Sequence, residues 1–267
     1  MLTIRSLRVQ FGRQPILHGI EATALPGRIT VVIGPNGSGK STLLRALAGD
    51  IPWQGQIALD GADMARLKPW ELAARRAVLP QSLTLAFPFT VAEVVRLGLT
   101  AGPHANRADL IPRALAAVGL PGHAGRLYQE LSGGQQARVQ LARVRVQVWE
   151  PVLDGRPSWM LLDEPVAALD IGQQIAVIRL LRDFADAGGG VVMVLHDLNL
   201  AAMVADEIWL MHEGKLVAAG DPATVIGGPA LAQVYDCPIR ANFLPPPEAT
   251  FVLPHTLWVR PEHPMPP

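Results

Sequence analysis

Cysteine occurs once, at Cys237, which excludes a disulfide within the chain and suits a reducing compartment. Net charge is lacking too: 23 Lys and Arg balance 23 Asp and Glu, so no basic surplus argues for a nucleic-acid partner. Long apolar runs are missing. Charge or glycine interrupts each well short of the ~18 residues a membrane-spanning helix needs, so any membrane association requires a partner protein. The N-terminus lacks the basic, apolar, small-residue layout of a secretion signal. No internal repeat or heptad pattern is visible. What the 267 residues do have is apolar mass, 49% of the composition, enough for one large domain or one domain with a subdomain.

Gly34-Pro35-Asn36-Gly37-Ser38-Gly39-Lys40-Ser41 fits the phosphate-loop pattern G-x-x-x-x-G-K-[ST] at every fixed position. The apolar run Ile29 to Ile33 before it reads as a buried strand, and Ser41 to Ala48 after it as a helix with Leu43, Leu44 and Leu47 on one face. Backbone amides and a helix N-terminus then converge on a polyphosphate. Lys40 is expected to reach the β- and γ-phosphates and the Ser41 hydroxyl to ligate Mg²⁺, with Thr42 closing the binding stretch.

Around that loop, Leu2 to Val9 reads as an antiparallel edge ribbon beside the nucleotide strand, with a turn at Phe11 to Gln14, and Ile51 to Gly61 as a second short ribbon. Lys68 to Arg76 reads as a short helix with Pro69 in its first turn, and Ala77 to Gln81 as a short strand. From about 90 to 150 strand signals vanish. Thr90 and Glu93 have the spacing of a capping box for a helix through Leu97; Asp109 to Val118 and Gln135 to Trp149 also have helical spacing. This block reads as a helical subdomain inserted into an α/β domain. Strands return at Trp159 to Leu162 and Val191 to Leu195, followed by a hairpin around Glu213-Gly214; the continuous apolar runs suit a parallel sheet covered on both faces. The predicted division is a domain over 1–243 and a proline-rich, extended tail over 244–267.

Three further features carry chemistry. Asp163 and Glu164 follow an apolar strand, where ligands sit in open α/β sheets; Asp163 suits Mg²⁺ and Glu164 the general base that activates water. Leu131-Ser132-Gly133-Gly134-Gln135 precedes a long helix and offers a second anion site, most economically closing on nucleotide held by another copy. His196 ends the strand Val191 to Leu195, where an imidazole can contact the γ-phosphate and help place water.

Together these motifs resemble the nucleotide-binding subunits of ATP-binding-cassette (ABC) transporters over roughly residues 2–225. The resemblance implies a P-loop NTPase core with a mixed sheet, an antiparallel β ribbon subdomain and an inserted α-helical subdomain. It makes Gly34 to Ser41 the Walker A motif, Trp159 to Asp163 Walker B, Leu131 to Gln135 the signature motif and His196 the switch histidine. Gln81 is similar to the glutamine that ligates Mg²⁺ and water and senses the membrane subunit, and Ala168-Leu169-Asp170 to the D-loop. Phe11 falls where the family places an aromatic that stacks on adenine; a core place in the edge ribbon is the other reading. The working unit implied is a head-to-tail homodimer, each ATP lying between one Walker A and the other copy's signature motif, beneath two transmembrane permease subunits at the cytoplasmic face of a bacterial inner membrane.

Val78 to Gln81, Phe87 to Val91 and His196 to Ala201 are similar to importers of iron chelates, cobalamin and heme, with the hemin branch the nearest likeness, which implies an external heme-binding protein. A siderophore or cobalamin importer, a non-transport cassette and a nucleotide-dependent module without turnover are the alternatives. Val166, where the family has a hydroxyl residue, and Ala137, commonly polar, depart from the pattern without touching a catalytic group. His18, His104, His123, His212, His255 and His263 share no metal-ligand spacing and are expected on surfaces or loops; Cys237 is expected to be a small, at least half-buried thiol. Leu97 and Leu99 are open between core and docking face.

Overall fold

The computed structural model describes residues 1–81, 87–243 and 248–252. The chain opens with β1 (Leu2–Phe11), β2 (Gln14–Ala24) and β3 (Ile29–Ile33), then α1 (Lys40–Ala48), β4 (Gln54–Leu59), β5 (Ala62–Asp63), α2 (Pro69–Ala73) and β6 (Arg76–Leu79). Three helices follow: α3 (Val91–Ala101), α4 (Leu110–Ala117) and α5 (Gly133–Gln147). The short hairpin β7 (Val152–Leu153) and β8 (Arg156–Pro157) leads into β9 (Trp159–Asp163), α6 (Ile171–Asp186), β10 (Gly190–Val194) and α7 (Leu198–Val204). The described elements end with β11 (Glu207–His212), β12 (Lys215–Gly220), α8 (Pro222–Ile226) and α9 (Pro229–Val234).

Six strands form the central sheet in the order β12-β11-β3-β10-β9-β6, parallel except for β12, which returns antiparallel on β11. Alternation of side chains along each strand divides the apolar residues between two cores. Val31, Leu162, Met193 and Leu210 face the helices of the 91–205 region. Val32, Leu161, Val192 and Trp209 face α1 and a four-stranded antiparallel sheet, β2-β1-β4-β5. Strands such as β3, β9 and β10, buried at every residue, are what a sheet covered on both faces requires.

β1 departs from its predicted place. It is not an edge beside β3 but an inner strand of its own sheet, paired with β2 on one side and β4 on the other. The run Gln14–Ala24, which carries no clean alternation, is an eleven-residue strand that becomes visible only through its partner. The helical block is as expected. Thr90 and Glu93 close a capping box on α3, which runs on to Ala101, and Ser132 and Gln135 close another on α5. Gly98 lets α3 approach α5: a Cβ there would lie 1.9 Å from the Arg143 carbonyl oxygen.

Leu99 is core, whereas Leu97 is exposed. His104 lies in the turn after α3, as a loop residue, and is buried against Glu150, its Nε2 2.6 Å from the carboxylate. Cys237 is exposed, contrary to expectation, because it lies past the end of α9. His255 and His263 fall outside the described residues, as do 244–247 and 253–267 of the predicted tail; residues 248–252 form neither helix nor strand. Among the described residues no helix is long and apolar enough to cross a membrane, and no group of three or more His, Cys, Asp or Glu could hold a metal ion.

Candidate functional site

Strand order places the site. β3, β10, β9 and β6 are consecutive neighbours running in one sense, so their C-terminal ends share an edge about 14 Å across at the usual strand spacing. From that edge emerge, in order, the loop from Gly34, then His196, then Asp163 with Glu164, and then Gln81. Residues up to 162 positions apart in sequence, Gly34 and His196, thus begin one row.

The loop 34–39 is shaped by glycines whose side chains have no room. Gly34 has φ +146°, and a Cβ on it would lie 2.2 Å from the Met211 carbonyl oxygen of β11. Gly39 has φ +99°, and its Cβ would press Leu17 of β2 at 2.9 Å. Gly39 also occupies the N-cap of α1 and brings no capping side chain, so the first-turn amides of that helix have no internal acceptor. An oxyanion is what such an uncapped, positive helix end accepts. The Lys40 ammonium folds back onto the loop, donating to the carbonyls of Gly34 at 2.8 Å and Pro35 at 2.9 Å. Burial holds its pKa below the usual lysine range, with Glu164 and Asp163 opposing that shift.

Asp163, at the end of β9, is 6% exposed, and its Oδ1 has no hydrogen-bond partner. Burial pushes its pKa up; a hydrogen bond from Ser41 opposes this. A desolvated carboxylate oxygen without a partner, next to a hydroxyl, is a hard-cation donor set, so the residues present fit Mg²⁺. Glu164 follows in a left-handed backbone conformation, φ +52°, unusual for a residue with a side chain. Its Oε1 receives the Gln81 amide at 3.1 Å and lies 2.5 Å from His196 Nε2. Three side chains from three loops, all expected from sequence, therefore meet at one carboxylate oxygen.

Other expected residues stand apart from this cluster. Phe11, at the end of β1, is 44% exposed, which removes its reading as a core residue. Ser132 and Gly133 are exposed; the Ser132 hydroxyl accepts from the Gln135 amide and the Gln135 side chain accepts from the Ser132 amide. Gly134 packs against Ala168, Leu169 and Gln173, whereas Gly34 and Gly39 are surrounded by Leu17, Ser38, Met211 and Gly214, a separate set. A groove of about 300 Å³ separates Gln81 and Glu164 from Gly133 and Gln136, and no loop residue from 34 to 41 lines it. Asp170 caps α6 through the Gln173 amide.

Sequence reasoning passed over two glutamines that shape these loops. Gln174 donates to the carbonyls of Val166 and Leu169, and Gln136 to those of Tyr128 and Leu131. Each lies four residues into its helix after an N-cap, a position from which a long amide can reach back, and that spacing is the signal that was available. Val166 is itself buried, which suits an apolar residue at a place where the family has a hydroxyl.

Phosphate loop, strand-end carboxylates and their order along one sheet edge define a P-loop ATPase of the cassette type. The chain belongs to the ABC transporter family: the family described as "ABC transporter" matches residues 17–167. It is 56% identical over 255 residues to the hemin import ATP-binding protein HmuV of Jannaschia sp. (strain CCS1), covering 96% of this chain and 94% of the relative. The protein of the same name from Roseobacter denitrificans is 56% identical over 254 residues, with 95% and 97% covered, and that from Mesorhizobium japonicum 50% over 260, with 96% and 99% covered. Among solved structures, the ATP-binding subunit of an ABC transporter superposes with a TM-score of 0.76 at 22% identity, over 88% of this chain and 98% of that one. A nucleotide-free ATP-binding cassette superposes with 0.75 at 22% identity, covering 88% and 98%.

Proposed function

We propose that this chain is the ATP-hydrolysing subunit of a bacterial hemin importer. The observation that carries the hydrolytic part is the meeting of Gln81, His196 and Glu164 at Glu164 Oε1, on the sheet edge that also bears the uncapped phosphate loop. The cargo reading rests on relatives 46–56% identical across nearly the whole chain, each named for hemin import.

In this reading residues 1–243 form the ATPase domain, with the helices of about 90–150 an inserted lobe. Residues Gly34 to Thr42 cradle the triphosphate through backbone amides. Lys40 leaves the carbonyls of Gly34 and Pro35 for phosphate oxygens as nucleotide enters. Ser41, Asp163 and Gln81 hold Mg²⁺, which neutralises charge on the phosphates when bound. Glu164 takes a proton from the attacking water, while Gln81 and His196 fix the position of its carboxylate. Phe11 offers an exposed ring for the adenine.

The signature residues, Leu131 to Gln135, serve the nucleotide of a second copy, and Asp170 lies beside them at the head of α6. Two such chains would sit on two transmembrane permease subunits at the cytoplasmic face of the inner membrane, supplied by an external heme-binding protein. Reconstitution with the permease in vesicles tests the whole reading. ATP-dependent accumulation of hemin inside, abolished by Lys40→Ala, is the expected result. Hydrolysis without hemin uptake, but with uptake of a siderophore or cobalamin, would move the assignment to that cargo.

A further inference from the structure

The first residue of the phosphate loop is held at both of its peptide groups. Its carbonyl takes the Lys40 ammonium at 2.8 Å, and its amide donates to the Tyr235 hydroxyl at 3.1 Å. Tyr235 stands at the C-terminal end of α9, half-buried against the core next to the buried Leu231 and Val234. Burial raises its pKa, so the hydroxyl stays protonated at neutral pH. On its other side Gly34 is wedged against Met211 of β11. The last helix among the described residues thus reaches the nucleotide loop from behind, through one side chain and one backbone amide.

The two holds are not equivalent. Lys40 is the group that must turn to the phosphates, and it then loosens its grip on the Gly34 and Pro35 carbonyls. Tyr235 has no such second task, so the loop's entry depends on it more when nucleotide is present. An interaction stronger in the bound state than in the free state raises affinity. We infer that Tyr235 is a positioning residue for nucleotide binding: its hydroxyl anchors the Gly34 amide while Lys40 is engaged with phosphate, and so ties α9 to ATP affinity. The inference rests on the reading of 34–42 as the ATP loop.

The test compares full-length wild type, Tyr235→Phe and Tyr235→Leu. KM and kcat come from phosphate release, and melting temperatures are taken with and without MgATP. Loss of the hydroxyl frees the Gly34 amide, which matters most once Lys40 has turned to phosphate, so both variants are expected to raise KM for ATP about 5–10-fold with kcat within about 2-fold. Both variants are expected to lower the melting temperature without nucleotide, Tyr235→Leu, which also loses the ring, by more. A packing role would instead leave Tyr235→Phe with wild-type KM and impair Tyr235→Leu alone, and that result overturns the inference. Should Tyr235→Phe not fold, hydrogen exchange on the wild type decides: MgATP is expected to slow exchange at both 33–35 and 229–235, and slowing confined to the loop overturns it. A wild type that does not bind MgATP would sink the site assignment itself, a different outcome from a silent Tyr235→Phe.

Discussion

Glu164 is where residue-scale strain and function meet. A side chain-bearing residue at φ +52° costs of order 1–3 kcal/mol, which the surroundings must offset. What that backbone turn achieves is a carboxylate aimed at both Gln81 and His196. Replacing Glu164 with Gln keeps the shape and removes the proposed base; MgATP binding is expected to persist while turnover falls by about 10²–10⁴-fold. Unchanged phosphate release would remove Glu164 from that role. Asp163 poses the opposite problem, a buried carboxylate with an unpartnered oxygen, unfavourable until a cation arrives. Asp163→Asn is therefore expected to melt no lower than wild type without nucleotide. It is also expected to lose most of the stabilisation that MgATP gives wild type, about 2.7 kcal/mol at a hundredfold excess over Kd. A full MgATP shift in that variant would show that Asp163 is not the metal's ligand. Most residues of this cluster were legible in the sequence, because each sits at the end of an apolar run and strand ends are where open α/β sheets keep their chemistry. Tyr235 was not: its partner is a backbone amide 201 residues away, and no spacing rule reports such a contact.

At the scale of elements, the helices that announced themselves are those whose ends are fixed by local hydrogen bonds. Thr90 with Glu93, and Ser132 with Gln135, are four-residue patterns that need no tertiary information. β1 and β2 show the other case. Their pairing and their separation from β3 are decided by burial against α1 and β4, so the sequence of β1 reads as a plausible edge although the strand is interior. α5 carries a second message in its polar side chains. Gln140 donates to the Tyr128 hydroxyl and accepts from Arg143, which in turn donates to the Val78 carbonyl of β6, the strand that delivers Gln81. α5 is thus bonded to the strand that leads to Gln81. Gly98 keeps that helix close to α3, and Gly98→Ala is expected to cost about 1–3 kcal/mol in a denaturant titration, through displacement of α5. A wild-type midpoint would mean that the α3–α5 contact yields without penalty.

On the proposed reading the molecule as a whole carries half of two different sites. Its phosphate loop offers uncapped amides, and its exposed Ser132 and Gly133 head a helix whose first turn, at Gly134, packs against Ala168, Leu169 and Gln173 rather than the loop. A head-to-tail pair related by twofold symmetry would complete both at once, each copy supplying what the other's pocket lacks. Mixing Lys40→Ala with Ser132→Arg, each inactive alone, tests this most directly. A mixed pair holds one pocket built from an intact loop and an intact signature motif, so random pairing of equal amounts is expected to restore about a quarter of wild-type hydrolysis. Mixtures that form pairs yet remain as inactive as either parent would contradict the shared-pocket account.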